Sequence, residues 1–489
     1  MMNNGTASVQ RYVPLLCWMM VVLTALGICL KILGDYGFVP AGDARRHVAR
    51  PFANKPYTEI VVLRPEYKVD HSPGWEWMLG VVHRATGWDE DALISFSVAS
   101  MLLWFFCLPL AWVRRPEAWL AAVLAQMIAI PELMTRLTQG RPFLLTEGIL
   151  VAFLFSWSRE ERKNPPWWKI VLTVAGFTLS VWMHGAWYLW AMLPIAFLLA
   201  QRWRAACWLA GCWLAGVALG ALLTGQPFAF LYGSVFMAAS VFREHAPKWL
   251  LVGEFQPGMG EFSTLALLAL VYLWLKQQNK TMRPLLLQPV VWMIVLNWIG
   301  GFMADRFWAD WGMPAVVVWL ATQFDEGLPE FCSGESLRRV LLCGLIAVPF
   351  FMDATNDLNR RYSFSLDEAF VNGSDPKLEG WMPGDKGIFY AGNMRFFYNT
   401  FFKNPQAKWR YMVGFEPALM PPEALKVYRS IQRSGGDLSA YQPWIDKMRP
   451  EDRLAVESPG QPALPALEWK RAAGDIWIGR LPRPNDVKH

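Results

Sequence analysis

The stretch "GDARRHV" places one carboxylate beside two guanidinium groups and an imidazole, namely Asp43, Arg45, Arg46 and His47. Neighbouring positive charge keeps a carboxylate ionised at neutral pH. An ionised carboxylate can take a proton from a hydroxyl or an amine, and arginine binds phosphate through paired hydrogen bonds. The stretch therefore predicts acid–base chemistry next to anion-binding groups. An exposed loop acid that is merely paired with arginine is the structural alternative.

A second group of polar residues follows in "EYKVDHSPGWEW". Glu66 is a further carboxylate, and Asp70 and His71 stand directly before Ser72 and Pro73. We interpret Glu66 and His71 as further candidates for acid–base chemistry and Asp70 as a candidate for substrate binding. The structural alternative is that Asp70 caps the helix that Pro73 begins, with His71 solvated.

The remaining candidates for substrate binding are cationic side chains farther along the chain: Arg136, Arg141, His184, Arg243, His245 and Arg306. Arginine binds phosphate in a bidentate way and keeps its charge near lipid, and the histidines add donors. Arg141 and Arg306 are favoured because each stands beside proline or aromatic residues at the mouth of an apolar segment. Arginines that extend toward lipid headgroups, and structural histidines, would give the same pattern.

The elements that must position these residues are apolar helices. Of 489 residues, 54% are apolar, 18% are charged and 28 are Trp, a composition typical of a polytopic membrane protein. A span needs roughly 20 mainly apolar residues, because the hydrocarbon layer is about 30 Å thick. The apolar runs predict about 11 spans: Tyr12–Leu33, Ala92–Val113, Ala118–Pro131, Phe143–Trp157, Trp167–Trp182, Ala186–Ala200, Ala205–Leu223, Phe262–Leu275, Leu285–Phe302, Met313–Phe324 and Val340–Phe351.

Basic residues at the span ends indicate the orientation of the chain. They gather in alternate connections, at Arg11, Arg114–Arg115, Arg159–Lys163, Arg202–Arg204, Lys276–Arg283 and Arg338–Arg339. This pattern predicts that the N-terminus and those connections are cytoplasmic. The chemical candidates and the tail after Met352 are then outside.

Two segments outside the predicted spans have sequence patterns that predict secondary structure. The first outer loop, residues 34–91, contains a short helix that starts at Ser72 and Pro73, ends at Gly87, and lays apolar side chains along the membrane interface: Trp75, Trp77, Met78 and Val81. The tail contains the strand-like runs "KGIFYAG", "AKWRYMVGF", "DRLAVES" and "DIWIGRL", and the helical run "PPEALKVYRSIQRSG". We therefore expect a membrane domain over residues 1–352 and a small extracytoplasmic α/β domain over residues 353–489.

Several classes of site and partner have no support. The 7 Cys lie in predicted spans or on the cytoplasmic side, and none forms a CxxC motif, which argues against disulfides and zinc. The net charge of +6 arises at cytoplasmic span ends and needs no nucleic acid.

The absence of a Gly-rich nucleotide loop argues against a nucleotide sugar as donor. No cofactor is assigned. A divalent metal near Asp43, Glu66 and His71 stays open, although their spacing matches no strong metal motif.

The order of these parts resembles a known family. A "GD…H" stretch in the first outer loop is followed by "DH-x-P", an aromatic interfacial helix, "GWDEDALISFSVAS", a span ending in "RR", then "R…GRPF" and "WMHGAWYLWAMLP". This layout resembles the GT-C superfamily of membrane glycosyltransferases, especially the group that contains the protein O-mannosyltransferases and the lipid A aminoarabinose transferase. The chain departs from the usual pattern where Ala44 follows Asp43 and Ser72 separates His71 from Pro73.

The resemblance implies a function and roles for individual residues. It implies a glycosyltransferase of the bacterial inner membrane, which moves a sugar from a polyprenyl-phosphate donor to a lipid, glycan or protein acceptor on the periplasmic side. Asp43 matches the catalytic aspartate of the family, and His71 matches a histidine near the donor phosphate. Two alternatives remain: a transporter or flippase of lipid-linked sugars, and a non-enzymatic assembly protein. A transporter would be expected to place ionisable residues inside its spans, whereas the candidates here gather at one face.

Overall fold

The computed structural model describes residues 12–67, 70–160, 162, 164–243, 256–258, 262–277, 284–327 and 337–482. His245 and the side chain of Arg243, both proposed as phosphate ligands, lie outside the described part. In chain order the α-helices are α1 Val13–Tyr36, α2 Asp43–Ala53, α3 Tyr57–Ile60, α4 Pro73–Thr86, α5 Glu90–Cys107, α6 Pro116–Ala129, α7 Glu132–Leu137, α8 Phe143–Ser158, α9 Trp167–Met183, α10 Met192–Leu199, α11 Trp203–Leu223, α12 Pro227–Arg243, α13 Phe262–Gln277, α14 Pro289–Gly301, α15 Asp305–Phe307, α16 Met313–Gly327, α17 Leu337–Ala354, α18 Met394–Lys403, α19 Pro422–Arg433 and α20 Gln442–Ile445. The strands are β1 Ile388–Ala391, β2 Arg410–Tyr411, β3 Arg453–Glu457, β4 Glu468–Ala473 and β5 Ile476–Arg480.

Three helical segments of the described chain are long and apolar enough to cross a bilayer: α1, the segment Glu90–Ala111 that begins with α5, and α11. Further apolar helices of 10–17 residues coincide with most of the other predicted spans. They are shorter than the roughly 20 residues of a perpendicular crossing. The structure thus supports a helical membrane protein, while the count of spans stays a prediction. The apolar helix α12 lies between the predicted spans Ala205–Leu223 and Phe262–Leu275, where no helix was predicted.

The chain divides into two compact units. The first unit comprises residues 1–38, 95–227 and 253–363, and the second comprises residues 39–94, 228–252 and 364–489. The division cuts across the boundary expected after residue 352, because most of the first outer loop belongs to the same unit as the tail.

Close helix packing in the first unit depends on small residues. Helix α9 packs against α11, and a Cβ atom on Gly216 would lie only 2.3 Å from the Cβ of Phe177. One turn later, a Cβ on Gly220 would lie 2.8 Å from the Cβ of Val181. Only glycine permits this approach of the two backbones, which is the usual way in which apolar helices associate in membranes.

The second unit is built on a five-stranded mixed sheet in the order β2-β1-β3-β5-β4. Strand β1 is parallel to β2 and β3, whereas β5 is antiparallel to both β3 and β4. In register, Phe389 pairs with Tyr411 on one side and with Arg453 on the other. The four strand-like runs and the helix α19 predicted for the tail are present. Strand β4 and helix α18 were not predicted.

Residues of the first outer loop form part of the core of this second unit. Tyr57, Ile60 and Tyr67 are buried together with Phe389 and Tyr411 of the sheet. Helix α2 also packs against both α4 and α18. The loop is therefore held against the sheet, and this packing places its polar residues.

Helix α4 confirms part of the predicted interfacial helix and corrects the rest. Pro73 begins it and Gly87, with a φ of 70°, ends it. Trp77 is 56% exposed, but Trp75 is fully buried. Residues two apart on a helix point roughly 200° apart, so Trp75 and Trp77 cannot both face the interface. The side chain of Ser72 forms no capping hydrogen bond.

Candidate functional site

The carboxylate of Asp43 stands in the first turn of α2. Gly42 precedes it with a φ of 77°, a conformation that favours glycine, and the start of a helix favours negative charge. Asp43 Oδ1 accepts hydrogen bonds from Arg46 Nε at 2.8 Å and from the Tyr398 hydroxyl at 3.1 Å. The side chain is 26% exposed. Asp43 is therefore not an exposed loop acid, because its partners orient it while part of it stays accessible.

The guanidinium group of Arg46 joins the two polar stretches of the sequence. The side chain is fully buried. Its Nη1 donates to the Tyr57 hydroxyl at 2.8 Å and to Asp70 Oδ1 at 3.4 Å, and its Nη2 lies 3.4 Å from His71 Nε2. The centre of the Phe415 ring is 4.3 Å from its Cζ. Asp43, Asp70 and His71 thus meet around one buried cation.

Asp70 contacts both the start of α4 and the cluster around Arg46. Its Oδ2 accepts a hydrogen bond from the backbone N–H of Ser72 at 3.3 Å, just before α4, so it helps to start that helix. Its Oδ1 accepts from the Tyr67 hydroxyl at 3.1 Å and lies 3.3 Å from His71 Nδ1. His71 is 14% exposed and is therefore not a solvated residue.

Glu76 belongs to the same cluster and was missed by the sequence analysis. Its Oε1 accepts a hydrogen bond from the Tyr57 hydroxyl at 2.7 Å and lies 3.3 Å from His47 Nδ1. Arg50 Nε is 3.6 Å from its Oε2. The available signal was that Glu76 is the only carboxylate in the apolar run "GWEWMLGVV".

The pKa values of the two inner carboxyl groups move in opposite directions. Burial by itself raises the pKa of Asp70, but Arg46 and His71 hold that pKa well below its usual range. Burial and the charge of Asp70 raise the pKa of Glu76 well above its usual range. Burial and Arg46 lower the pKa of His47 well below its usual range. The cluster therefore favours the ionised form of Asp70 and opposes the charged forms of Glu76 and His47.

Replacement of Glu76 by Gln is expected to reduce the pH dependence of stability. A carboxyl group whose pKa is raised by folding contributes stability below its unfolded pKa of about 4.3 and loses it as the pH rises through the folded value. Thermal unfolding of the purified wild-type protein and of Glu76→Gln, compared between about pH 5 and pH 8, should show a smaller decrease in the variant. An identical pH dependence of both proteins would contradict the raised pKa of Glu76.

Part of this cluster could hold a divalent metal ion, but only in competition with Arg46. His47, Asp70 and Glu76 each offer a ligand atom, and these atoms lie within 4.8 Å of one another. However, Arg46 Nη1 lies 3.4 Å from Asp70 Oδ1 and 3.8 Å from Glu76 Oε1. A fixed cation therefore already neutralises these oxygen atoms, and a divalent ion would have to displace it. No step proposed below uses a metal.

Two candidate residues of the first outer loop lie apart from the cluster. Glu66 stands in an exposed turn, so the trio of acid–base candidates is not brought together. The guanidinium group of Arg45 is buried and contacts Glu368 and Asn399, and it donates to the backbone oxygen of Val39 at 3.1 Å. Arg45 therefore joins α2 to the tail, whereas Arg46 and His47 join the Asp43 cluster.

A separate cationic cluster lies in the first unit, around Asp310. Arg136 pairs with Asp310 Oδ1, and Arg306 Nε donates to its Oδ2 at 2.9 Å. Arg306 Nη2 also lies 2.8 Å from His184 Nε2. Asp310 stands in a π-helical turn, Trp308–Gly312, a feature that often occurs at functional sites. Arg141 lies just before α8 and is half-buried.

No protein-family model and no curated protein sequence matches this chain. Solved structures do match. The apo crystal structure of the Archaeoglobus fulgidus oligosaccharyltransferase matches with a TM-score of 0.53 and 12% identity, over 90% of this chain and 69% of that chain. The same protein tethered to an acceptor peptide with the NVT sequon matches with a TM-score of 0.48 and 11% identity, over 90% and 69% of the two chains. Its complex with Zn and sulfate matches with a TM-score of 0.40 and 13% identity, over 90% and 68%.

The identity to the apo structure is low, so this match establishes a likeness of fold alone. The archaeal oligosaccharyltransferase is a member of the GT-C group of glycosyltransferases. The resemblance inferred from the order of motifs in the sequence is thereby confirmed as a likeness of fold: this chain shares its fold with that oligosaccharyltransferase.

Proposed function

We propose that this protein is an integral membrane glycosyltransferase. It moves a sugar from a polyprenyl-phosphate donor to a lipid, glycan or protein acceptor outside the cytoplasm. We place the protein in a bacterial inner membrane, with the Asp43 cluster and the tail on the periplasmic side. The location rests on the predicted orientation of the basic connections, and the reaction rests on the fold and on the chemistry of the Asp43 cluster.

The observation that favours Asp43 as the base is its accessibility within an otherwise buried cluster. Its side chain is 26% exposed, compared with 7% for Asp70 and 11% for Glu76. Arg46 Nε and the Tyr398 hydroxyl both donate to the Asp43 carboxylate and so orient it. Asp43 would take the proton from the acceptor hydroxyl or amine as the new glycosidic bond forms.

The other residues of the Asp43 cluster would support this reaction. His71 is partly exposed, and it would donate a hydrogen bond to the donor phosphate through Nε2, once that atom leaves Arg46 Nη2, which lies 3.4 Å away. Asp70 and Glu76 are more deeply buried, and they hold the side chains of Arg46 and His47 in position. We assign them positioning roles and leave catalysis to Asp43.

In the first unit, Arg136, Arg306 and His184 are proposed to bind phosphate oxygen atoms. Both guanidinium groups are held by one carboxylate, that of Asp310, so the cluster carries more positive than negative charge. A lipid phosphate would compete with Asp310 for bidentate hydrogen bonds from these arginines.

Cells that lack the protein are expected to accumulate its lipid-linked sugar donor. Identification of this lipid by mass spectrometry, with return to the normal level when the wild-type gene is restored, would test the function and name the sugar. When the gene for the Asp43→Asn variant is supplied instead, the amount of the lipid-linked sugar donor should stay as high as in cells that lack the protein. A lipid profile that does not change on deletion would contradict the proposal.

Transport of a lipid-linked sugar is the second candidate function. It is favoured by Glu147, a carboxylate that is 3% exposed inside the apolar helix α8, because ionisable residues inside spans often mark transport pathways. The deletion experiment separates the two functions. Loss of a flippase would trap the lipid-linked sugar on the cytoplasmic face, whereas loss of a transferase would leave it accessible from outside.

A further inference from the structure

The first unit contains a cavity of about 770 Å³ at one end of its helices, a size typical of ligand sites. Five arginines line it: Arg114, Arg115, Arg159, Arg202 and Arg339. They come from connections that alternate along the chain and that the sequence analysis assigned to the cytoplasmic side. Their meeting in one cavity shows that these connections lie at the same end of the unit.

This cavity is distinct from the cationic cluster around Asp310. Helix α16 begins directly after the π-helical turn that contains Asp310, and Asp325 of the cavity lies close to its C-terminal end. Fifteen residues of α-helix rise by about 22 Å. The two groups of arginines therefore occupy opposite ends of α16, so that a phosphate bound at one cannot reach the other.

The five arginines face two acidic residues of the lining, Asp325 and Glu326, so the charges of the cavity are only partly compensated. Arg339 forms a bidentate ion pair with Glu117 at 2.7 and 3.2 Å, and this arginine is structural. Arg115 and Arg159 share one carboxylate, that of Asp325, at 3.6 Å each. These distances exceed those of direct hydrogen bonds, so Asp325 balances charge without satisfying the donors.

One guanidinium donor at the cavity also lacks an acceptor, whereas Arg159 and Arg202 donate to backbone oxygen atoms. Arg115 Nη1 is buried and has no hydrogen-bond partner in the described part of the chain. Arg114 is exposed at the same cavity. A buried guanidinium N–H without an acceptor is costly, and an anion with several oxygen atoms would satisfy it.

The walls of the cavity indicate what kind of molecule carries this anion. Phe155, Val318 and Trp319 form an apolar wall beside the arginines. The combination of guanidinium groups and an apolar wall suits an amphiphile with an anionic head. We propose that this cavity binds a phosphate group, either that of an anionic lipid or a free phosphate, at the end of the first unit opposite to the Asp310 cluster.

The test uses the full-length protein purified in a neutral detergent. Thermal unfolding is followed while phosphatidylglycerol, phosphatidylcholine or inorganic phosphate is added at matched ionic strength. Phosphatidylglycerol is expected to raise the unfolding temperature, and phosphatidylcholine is not. A rise with inorganic phosphate alone would also support the site and would identify a soluble ligand.

Variants establish whether the effect comes from this cavity. The double variant Arg115→Gln/Arg159→Gln should need at least about tenfold more ligand to reach half of the maximal rise in unfolding temperature. Arg204→Gln should respond like the wild type, because Arg204 is an exposed arginine near Arg202 that does not line the cavity. If the double variant does not fold, Arg159→Gln is used alone, since that side chain is 35% exposed. The proposal would be overturned if no ligand raised the unfolding temperature of the wild type, or if Arg204→Gln lost this response as much as the double variant does.

Discussion

Asp43→Asn is expected to reduce sugar transfer by at least about a hundredfold, the lower range for loss of a general base. The amide has the size of the carboxylate but cannot take the proton of the acceptor. Its oxygen can still accept the hydrogen bonds that Arg46 Nε and the Tyr398 hydroxyl donate to Asp43. The measurement is the rate of transfer by purified protein with the lipid-linked sugar that accumulates on deletion.

The contacts of Asp43 in the structure predict that Asp43→Asn loses some stability. An exposed loop acid would contribute little, but Asp43 contacts a fully buried arginine. We expect a loss of less than about 2 kcal/mol, because a hydrogen bond to a charged group is weakened rather than removed. Glu66→Gln is the control, since Glu66 is exposed in a turn and should keep wild-type activity. Wild-type transfer by Asp43→Asn, together with loss in Glu66→Gln or Asp70→Asn, would refute the assignment of the base.

Arg46→Gln is expected to destabilise the protein by about 3–5 kcal/mol, because removal of one partner of a buried ion pair leaves the other charge uncompensated. Arg46 is the cation shared by Asp43 and Asp70, and it also contacts Tyr57 and His71. The pKa of Asp70, which Arg46 holds low, should then rise. Thermal unfolding and the yield of folded protein measure the effect.

Two matched variants make this prediction specific. Arg46→Lys keeps the charge but loses the planar fork, so it should recover part of the stability. Arg395→Gln removes an arginine of the same unit whose side chain is 59% exposed and pairs with Glu457; such surface pairs contribute at most about 1 kcal/mol. Equal destabilisation by Arg46→Gln and Arg395→Gln would show that the buried cluster does not depend on Arg46.

The local features of the chain could be predicted from sequence because they depend on neighbouring residues. Apolar runs indicated the helices, Pro73 and Gly87 indicated the limits of α4, and alternating β-prone runs indicated β1, β3 and β5. Four of the six basic connections contribute an arginine to one cavity, in line with their predicted grouping, since charge at span ends is a linear pattern. The same reasoning failed for Trp75, which is buried because helical geometry turns it away from Trp77.

The amino-acid sequence by itself determined the class of protein and the chemical groups that it offers. It indicated a helical membrane protein whose long first outer loop carries an acid, arginines and histidines in an order that resembles the GT-C family. Only the tertiary structure decided which of those groups meet. Arg45 and Arg46 are adjacent in sequence, but successive residues of α2 point about 100° apart, so one contacts the tail and the other holds Asp43, Asp70 and His71. Glu76 and Tyr398 join that cluster from distant positions, since the packing of α4 and α18 against α2 brings them there and no local pattern records it.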